Sequence, residues 1–260
     1  MKSKQNAPKP RVVTTKTVLT MKQTGEKIAM LTAYDYLMAK YLDQVGIDII
    51  LVGDSLGNVV QGYETTLPVT VDDMIYHAKA VKRAVKNALI VVDMPFMSFQ
   101  TSIDDAVRNA GRIMKEVGVG AVKLEGGADI AEIVRHLVKV GIPVMGHLGL
   151  TPQAINKFGT YEVRAQSKEE AEELINDAKV LAKAGVFAIV LEKIPASLAR
   201  RTASAIPGAL RSMAAAVPSG VRSRGPKPVP PVIRRRPKSG SPASSPYRKC
   251  TSAARPCVAW

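Results

Sequence analysis

Five short apolar runs in this 260-residue chain each end in ionisable residues. DIILVGDS ends on Asp54 and Ser55, ALIVVDMP carries Asp93, AVKLEG carries Lys123 and Glu125, PVMGHLG carries His147, and FAIVLEK ends on Glu192. Asp54, Asp93 and Glu125, with no cysteine nearby, make an oxygen-rich set suited to a hard cation such as Mg2+. Lys123 inside an apolar run is either the partner of a buried acid or a cation that binds a substrate carboxylate. Glu192 directly follows FAIVL, where burial is expected to raise its pKa and suit it to proton transfer. Its bland alternative is an ion pair with Lys193 or Arg200. His147, between Gly146 and Leu148, is either a satisfied core histidine or an acid–base group. Any one of these residues alone could be a cap or a surface ion pair. Five in succession point to a single rim combining a metal with acid–base chemistry.

The runs are too short and too β-branched to be helices, and their near-continuous apolar character is that of strands covered on both faces of a parallel sheet. Carboxyl ends of such strands are where α/β barrels and open α/β sheets hold their chemistry. Period-two alternation puts Lys123 and Glu125 on one face and Val122 and Leu124 on the other. Asp54 and Asp93 are expected at equivalent positions on their strands. Between the runs lie helical patterns. The junctions VGIDII, VGVGAV, VGIPVM and AGVFAI each end a helix on Gly46, Gly118, Gly141 or Gly185 and begin a strand at once, which is the alternation of βα units.

Other local signals fit that frame. Residues 12–25 suggest an amphipathic helix with a Gly stop, and KIAMLTAYDY a first strand with Tyr34 and Asp35 at its end. Thr70 is expected to cap one helix, and Ser167 with Glu170 to form a capping box on another. GNVVQGYETTLPVT and LTPQAINKFGTYEVRAQ are expected to be long irregular connections. His77 and His136 fall on helical patterns and are taken as structural, and Met30, Met94, Met97 and Met145 as packing.

Hydrophobic residues make up 46% of the chain, ordinary for a globular core. No apolar run approaches the roughly 20 residues of a membrane helix, and no secretory h-region follows the basic start, so a cytoplasmic location is expected. The net charge of +15 is unevenly placed: residues 208–260 hold 11 of the 37 Lys and Arg and none of the 22 acidic residues, leaving +4 on residues 1–207. Both cysteines, Cys250 and Cys257, lie in the same stretch.

Seven motifs, TAYDY (32–36), LVGDSLG (51–57), TLPVT (66–70), DMPFMS (93–98), KLEGG (123–127), GHLGLTPQ (146–153) and LEKIP (191–195), together closely resemble the ketopantoate hydroxymethyltransferase family, in order, over residues 12–207. The resemblance implies an α/β fold of the TIM (β/α)8-barrel type, related to the phosphoenolpyruvate mutase and isocitrate lyase group. It implies transfer of a hydroxymethyl group from 5,10-methylenetetrahydrofolate to 3-methyl-2-oxobutanoate, giving 2-dehydropantoate in pantothenate biosynthesis. Homo-oligomeric assembly is implied as well. By position, Asp54, Asp93 and Glu125 correspond to Mg2+ ligands, some through water. Asp54, Ser55, Asp93 and Lys123 correspond to residues that hold the oxo acid. Glu192 corresponds to the proton acceptor, with His147 in the same pocket as second choice of base. A related Mg2+-dependent C–C lyase or mutase is the alternative enzyme.

Six βα units fit by residue 206, and a closed barrel needs two more. From residue 208 the composition changes: nine of the 17 prolines lie there, and no strand or helix period is evident. The expected organisation is a disordered lead (1–11), an incomplete barrel domain (12–207) truncated after six units, and a disordered Pro/Arg/Ser-rich tail (208–260). A reading-frame shift near codon 207 would produce such a break. Missing strands would expose the sheet edges and weaken folding and activity. Nucleic-acid binding by Arg234, Arg235 and Arg236 is a further alternative, disfavoured because only Tyr247 and Trp260 supply aromatic groups.

Overall fold

The computed structural model describes residues 12–206 and the backbone of 211–215. The chain runs α1 (Thr15–Gln23), β1 (Met30–Thr32), α2 (Tyr36–Gln44), β2 (Ile49–Val52), α3 (Leu56–Val59), α4 (Val71–Ala84), β3 (Leu89–Asp93) and α5 (Ile103–Val117). It continues with β4 (Ala121–Glu125), α6 (Ala131–Lys139), β5 (Val144–Gly149), α7 (Ile155–Phe158), α8 (Lys168–Ala184), β6 (Ala188–Glu192), α9 (Ala196–Ala205) and β7 (Arg211–Ala215). All strands are parallel and neighbours in sequence are neighbours in the sheet, β1 to β7. This is a curled, TIM-like (β/α) sheet, and among the described residues β1 and β7 are not paired with each other.

Alternation splits the core in two. Val52, Ile90, Val92, Val122, Leu124, Val144, Ile189 and Leu191 face outward and pack with Met74, Val81, Ile113, Leu137 and Leu181 of the helices. Ile49, Leu51, Leu89, Val91, Ala121, Met145, Ala188 and Val190 face inward, where Val13 and Val18 join them from the N-terminal segment. Burial on both faces explains the unbroken apolar runs. Truncating a fully buried residue such as Ile113 or Leu181 to Ala would cost about 2–5 kcal/mol.

The helix signals hold in detail. Thr70 and Asp73 make both halves of a capping box. Asp35 caps α2 by accepting from the Met38 amide. The glycines at the four helix–strand junctions all adopt positive φ, 76° to 106°. Ser167 accepts from the Glu170 amide, but the Glu170 carboxylate bonds Arg164 at 2.8 Å, so the reciprocal half of that expected box is not made.

Three expectations are corrected. The two long connections are not irregular throughout: α3 lies in the first, and α7, preceded by a short 3-10 turn (Pro152–Ala154), in the second. Met97 is exposed at φ 62° and takes no part in packing, unlike Met94 and Met145. A seventh strand follows the six βα units, with Arg211–Ala215 in register with Ala188–Glu192. RSMAA has no β-branched residue and therefore no strand signal of its own; the open edge of β6 defines it. The expected disordered lead, and the tail apart from β7, lie outside the described residues.

Candidate active site

Strand register builds the site. Asp93 of β3 lies level with Lys123 of β4, and Glu125 of β4 level with His147 of β5. Glu192 of β6 is level with Gly149, two residues beyond the Val190 that stands beside His147. All five side chains continue the inward-facing rows of the apolar interior, so they meet where the strands end. Lys123 Nζ sits 2.9 Å from Asp93 Oδ1, 3.8 Å from Glu125 Oε1 and 3.2 Å from His147 Nδ1. His147 Nδ1 is 3.1 Å from Glu125 Oε1. On its other side, His147 Nε2 lies 3.3 Å from Glu192 Oε2, without hydrogen-bond alignment. Asp93, Lys123, Glu125 and His147 are buried, whereas the Glu192 side chain keeps 32% exposure at the mouth. The burial expected of Glu192 is thus not found, because it stands one inward step higher than His147. Its partner is His147 rather than Lys193, whose ammonium bonds the Tyr161 carbonyl at 2.6 Å.

Asp54 joins by a different route. Val52 pairs with Val92, so Gly53, not Asp54, is level with Asp93. Asp54 is one residue further on, in the turn into α3, and the expected equivalence of the two aspartates is off by one. Its backbone N–H donates to Asp93 Oδ2 at 3.1 Å. A Cβ at Gly53 would stand 2.8 Å from Ser55 Oγ and 3.4 Å from Asp93 Oδ2, so the bare glycine lets the turn close over the carboxylate. Ser55 Oγ shares a 2.8 Å hydrogen bond with the Tyr34 hydroxyl, and His77 Nδ1 lies 2.7 Å from the Tyr34 carbonyl oxygen.

One central residue was not singled out from sequence. Gln153 is buried, and its Nε2 donates to Asp54 Oδ2 at 2.8 Å and to the Met94 carbonyl at 2.9 Å. Its backbone N–H donates to Glu125 Oε2 at 3.0 Å. Gln153 closes the motif GHLGLTPQ, so the signal was present, but a lone glutamine in a connection carries no chemistry by type or spacing. Tyr34 likewise was noted only as a strand-end residue.

Charge balance differs along this row. Burial, then the neighbouring Asp93 and Glu125 carboxylates, raise the pKa of Asp54 to about 7. Asp93 is also raised, by burial that outweighs the attraction of Lys123. Burial opposes the Lys123 charge, but Asp93, Glu125 and Asp54 outweigh it and hold the ammonium protonated. Burial opposes ionisation of Glu125 too, yet His147 and Lys123 win and its pKa falls below the ordinary value. For His147, burial and Lys123 disfavour the cation, whereas Glu125 and Glu192 favour it and prevail.

Among the described residues, no three His, Cys, Asp or Glu side chains stand together as a ready ligand set. The chemistry of the donors nevertheless fits a hard divalent cation. Asp54 and Asp93 crowd each other in a buried place, Asp93 Oδ1 has no aligned hydrogen bond, and burial with that crowding drives Asp54 toward holding a proton where a cation would relieve it.

A curled parallel (β/α) sheet with acid, base and cation gathered at the carboxyl ends of its strands is the architecture of α/β-barrel enzymes. The fold is shared with crystal structures of 2,3-dimethylmalate lyase, a phosphoenolpyruvate mutase/isocitrate lyase superfamily member (TM-score 0.56, 16% identity, 78% of this chain and 73% of that one). It is shared equally with phosphonopyruvate hydrolase (TM-score 0.60, 10% identity, 78% and 72%). At those identities the likeness concerns the fold alone.

The sequence matches are closer. The family model for ketopantoate hydroxymethyltransferase matches residues 12–216, and the chain belongs to that family. A 3-methyl-2-oxobutanoate hydroxymethyltransferase of Flavobacterium johnsoniae is 60% identical over 194 residues, covering 75% of this chain and 71% of that protein. The protein of the same name from Chlorobaculum tepidum is 63% identical over 191 residues, covering 72% and 69%. The family match reaches residue 216, past the break expected at 207, and takes in β7.

Proposed function

We propose that this chain transfers a hydroxymethyl group from 5,10-methylenetetrahydrofolate to 3-methyl-2-oxobutanoate, forming 2-dehydropantoate. The observation that carries the proposal is the inward-facing row Asp93, Lys123, Glu125, His147 and Glu192, with Asp54 and Ser55 beside it, on a chain of this family. The catalytic unit is the barrel domain, taken as residues 12–207 from sequence and extended by β7.

Asp54 and Asp93 would hold Mg2+ directly. Glu125, whose oxygens face His147 and the Gln153 backbone amide, would complete the ion's anionic surroundings. When bound, Mg2+ supplies Lewis-acid polarisation of the oxo group, which acidifies the C3 proton of the oxo acid. Lys123, buried and held protonated beside Asp93, would offer the positive charge for the substrate carboxylate. Ser55, held by Tyr34, donates to the substrate.

Glu192 is the base that takes the C3 proton. His147 is a poor base here because its flanking carboxylates favour the imidazolium. It stands 3.3 Å from Glu192 instead and keeps a cation near the charge that develops on the substrate. The exposed edge of Glu192 lets the proton leave to solvent.

A cytoplasmic location and homo-oligomeric assembly belong to the same proposal. No helix among the described residues is long and apolar enough to cross a membrane. Leu37 and Tyr41 of α2, with Val45 just beyond its end, form an exposed apolar stripe that supports a covering partner.

Turnover of 3-methyl-2-oxobutanoate with Mg2+, with methylenetetrahydrofolate as the varied substrate, tests the proposal. Product formation that tracks the folate supports it. Oxo-acid cleavage independent of folate would instead favour a lyase or mutase.

A further inference from the structure

The β5–α8 connection carries a residue with no assigned role whose hydrogen bonds span the site. Gln153 lies 99 residues from Asp54 in sequence and 59 from Met94, yet one amide nitrogen binds both. Its carbonyl oxygen accepts from Gln100 Nε2 at 3.2 Å, and its backbone N–H is committed to Glu125. The side chain thereby links the turn after β2, the end of β3 and the β3–α5 loop, while its main chain holds the end of β4. The amide orientation is forced. With the group reversed, its oxygen would face two acceptors, and its nitrogen would face the Gln100 amide nitrogen. Pro152 and the Ala154-to-Thr151 backbone bond of 2.9 Å stiffen the segment that presents it.

We propose that Gln153 is a positioning residue that fixes the Asp54 carboxylate for the divalent cation, and that its neutral amide is what the site requires. The inference rests on the function proposed above. Asp54 needs a donor to hold one oxygen in place, but a cationic donor would cancel the charge that attracts the metal. A carboxylate at position 153 would add a further anion to a buried cluster that already contains Asp54, Asp93 and Glu125. A primary amide alone orients Asp54, satisfies the Met94 carbonyl and leaves the charge unchanged. Residues of this kind, which touch ligands rather than the metal, typically set affinity by 10–100-fold.

The test is Mg2+ binding by calorimetry, well below the melting temperature, on the full chain and two variants. Gln153→Met keeps the length and removes the amide. Gln100→Ala, at an exposed position, removes the partner of the Gln153 carbonyl, together with a long 3.4 Å acceptor of the Phe99 amide, and leaves Gln153 itself in place. Gln153→Met is expected to weaken Mg2+ binding by about 10–100-fold, with activity partly rescued by raising Mg2+, and Gln100→Ala by about 2–5-fold. A purely structural role would lower thermal stability and leave the affinity of the folded protein unchanged. Gln153→Met that folds and binds Mg2+ as wild type does overturns the inference. If Gln153→Met does not fold, unchanged affinity in Gln100→Ala overturns it. A wild-type chain that binds no Mg2+ overturns this inference and the proposed function together, whereas wild-type binding with unaltered variants overturns this one alone.

Discussion

The two halves of the site are both built on buried carboxylates and behave in opposite ways. Glu125 and His147 face each other as opposite charges, which together with Lys123 on the Glu125 side and Glu192 on the His147 side outweighs burial, and both groups are shifted toward their ionised forms. Around Asp54 and Asp93 carboxylate faces carboxylate, one Asp93 oxygen lacks an aligned hydrogen bond, and both groups are shifted toward neutrality. Lys123 stands between them and serves both. Burial acts on both halves; what differs is the company, with His147 and the Gln153 amide bonded to Glu125 and further carboxylates raising Asp54 and Asp93. The compensated half is complete and suited to holding a base in place. On the proposed function, the half in which carboxylates crowd one another is the one that would take a divalent ion.

Substitutions can separate the halves. The largest effect is expected for Glu192→Gln, which removes the base but no buried charge. Its kcat should fall by about 10²–10⁴-fold while Mg2+ affinity and unfolding midpoint stay close to wild type, in steady-state kinetics and calorimetry. Lys123→Met strips the shared cation and leaves buried carboxylates facing one another. Denaturant unfolding should show a loss of about 3–5 kcal/mol. Equal stability would mean that the carboxylates simply take up protons.

Asp54→Asn should act in two directions. It relieves like-charge crowding, so the metal-free melting temperature should rise by about 2–4 °C for each kcal/mol gained in a chain of this size. The same variant should lose Mg2+ binding. A drop in metal-free stability would contradict the crowding account.

The smallest effect is the pH dependence of the metal-free protein. The pKa of Asp54 is raised from 3.8 to about 7, so its protonation favours the folded state, and stability from this group grows as pH falls from about 7 toward 4. His147 is raised too, so its contribution is present at low pH and lost as pH rises through its folded value. Both act in one direction, and the melting temperature should increase between pH 8 and pH 5. Mg2+ affinity should move the other way, weakening below about pH 7 as protons compete for Asp54.

Much of this arrangement was legible in the residues. Alternation put Lys123 and Glu125 on one face, and their neighbours on β3, β5 and β6 share it. Glycines at the helix–strand junctions marked the βα units because only a positive φ permits so abrupt a change of direction. What was not legible depends on register and distance. Asp54 looked equivalent to Asp93 because both follow apolar runs, but pairing shifts them by one residue. Glu192 looked buried because FAIVL is buried; its own height in the barrel depends on where β6 sits beside β5. Gln153 acts only through partners 28 to 99 positions away, which no local pattern reveals. Strand β7 pairs along β6 although its own residues, RSMAA, include none that is β-branched.

The central claim, that these side chains together take the C3 proton from a bound oxo acid, is tested most directly without the folate. With Mg2+ in deuterium oxide, the chain should exchange the C3 hydrogen of 3-methyl-2-oxobutanoate for deuterium, followed by NMR, and Glu192→Gln should slow that exchange by about 10²–10⁴-fold. No exchange above the metal-only background in wild type, or undiminished exchange in Glu192→Gln, would contradict it.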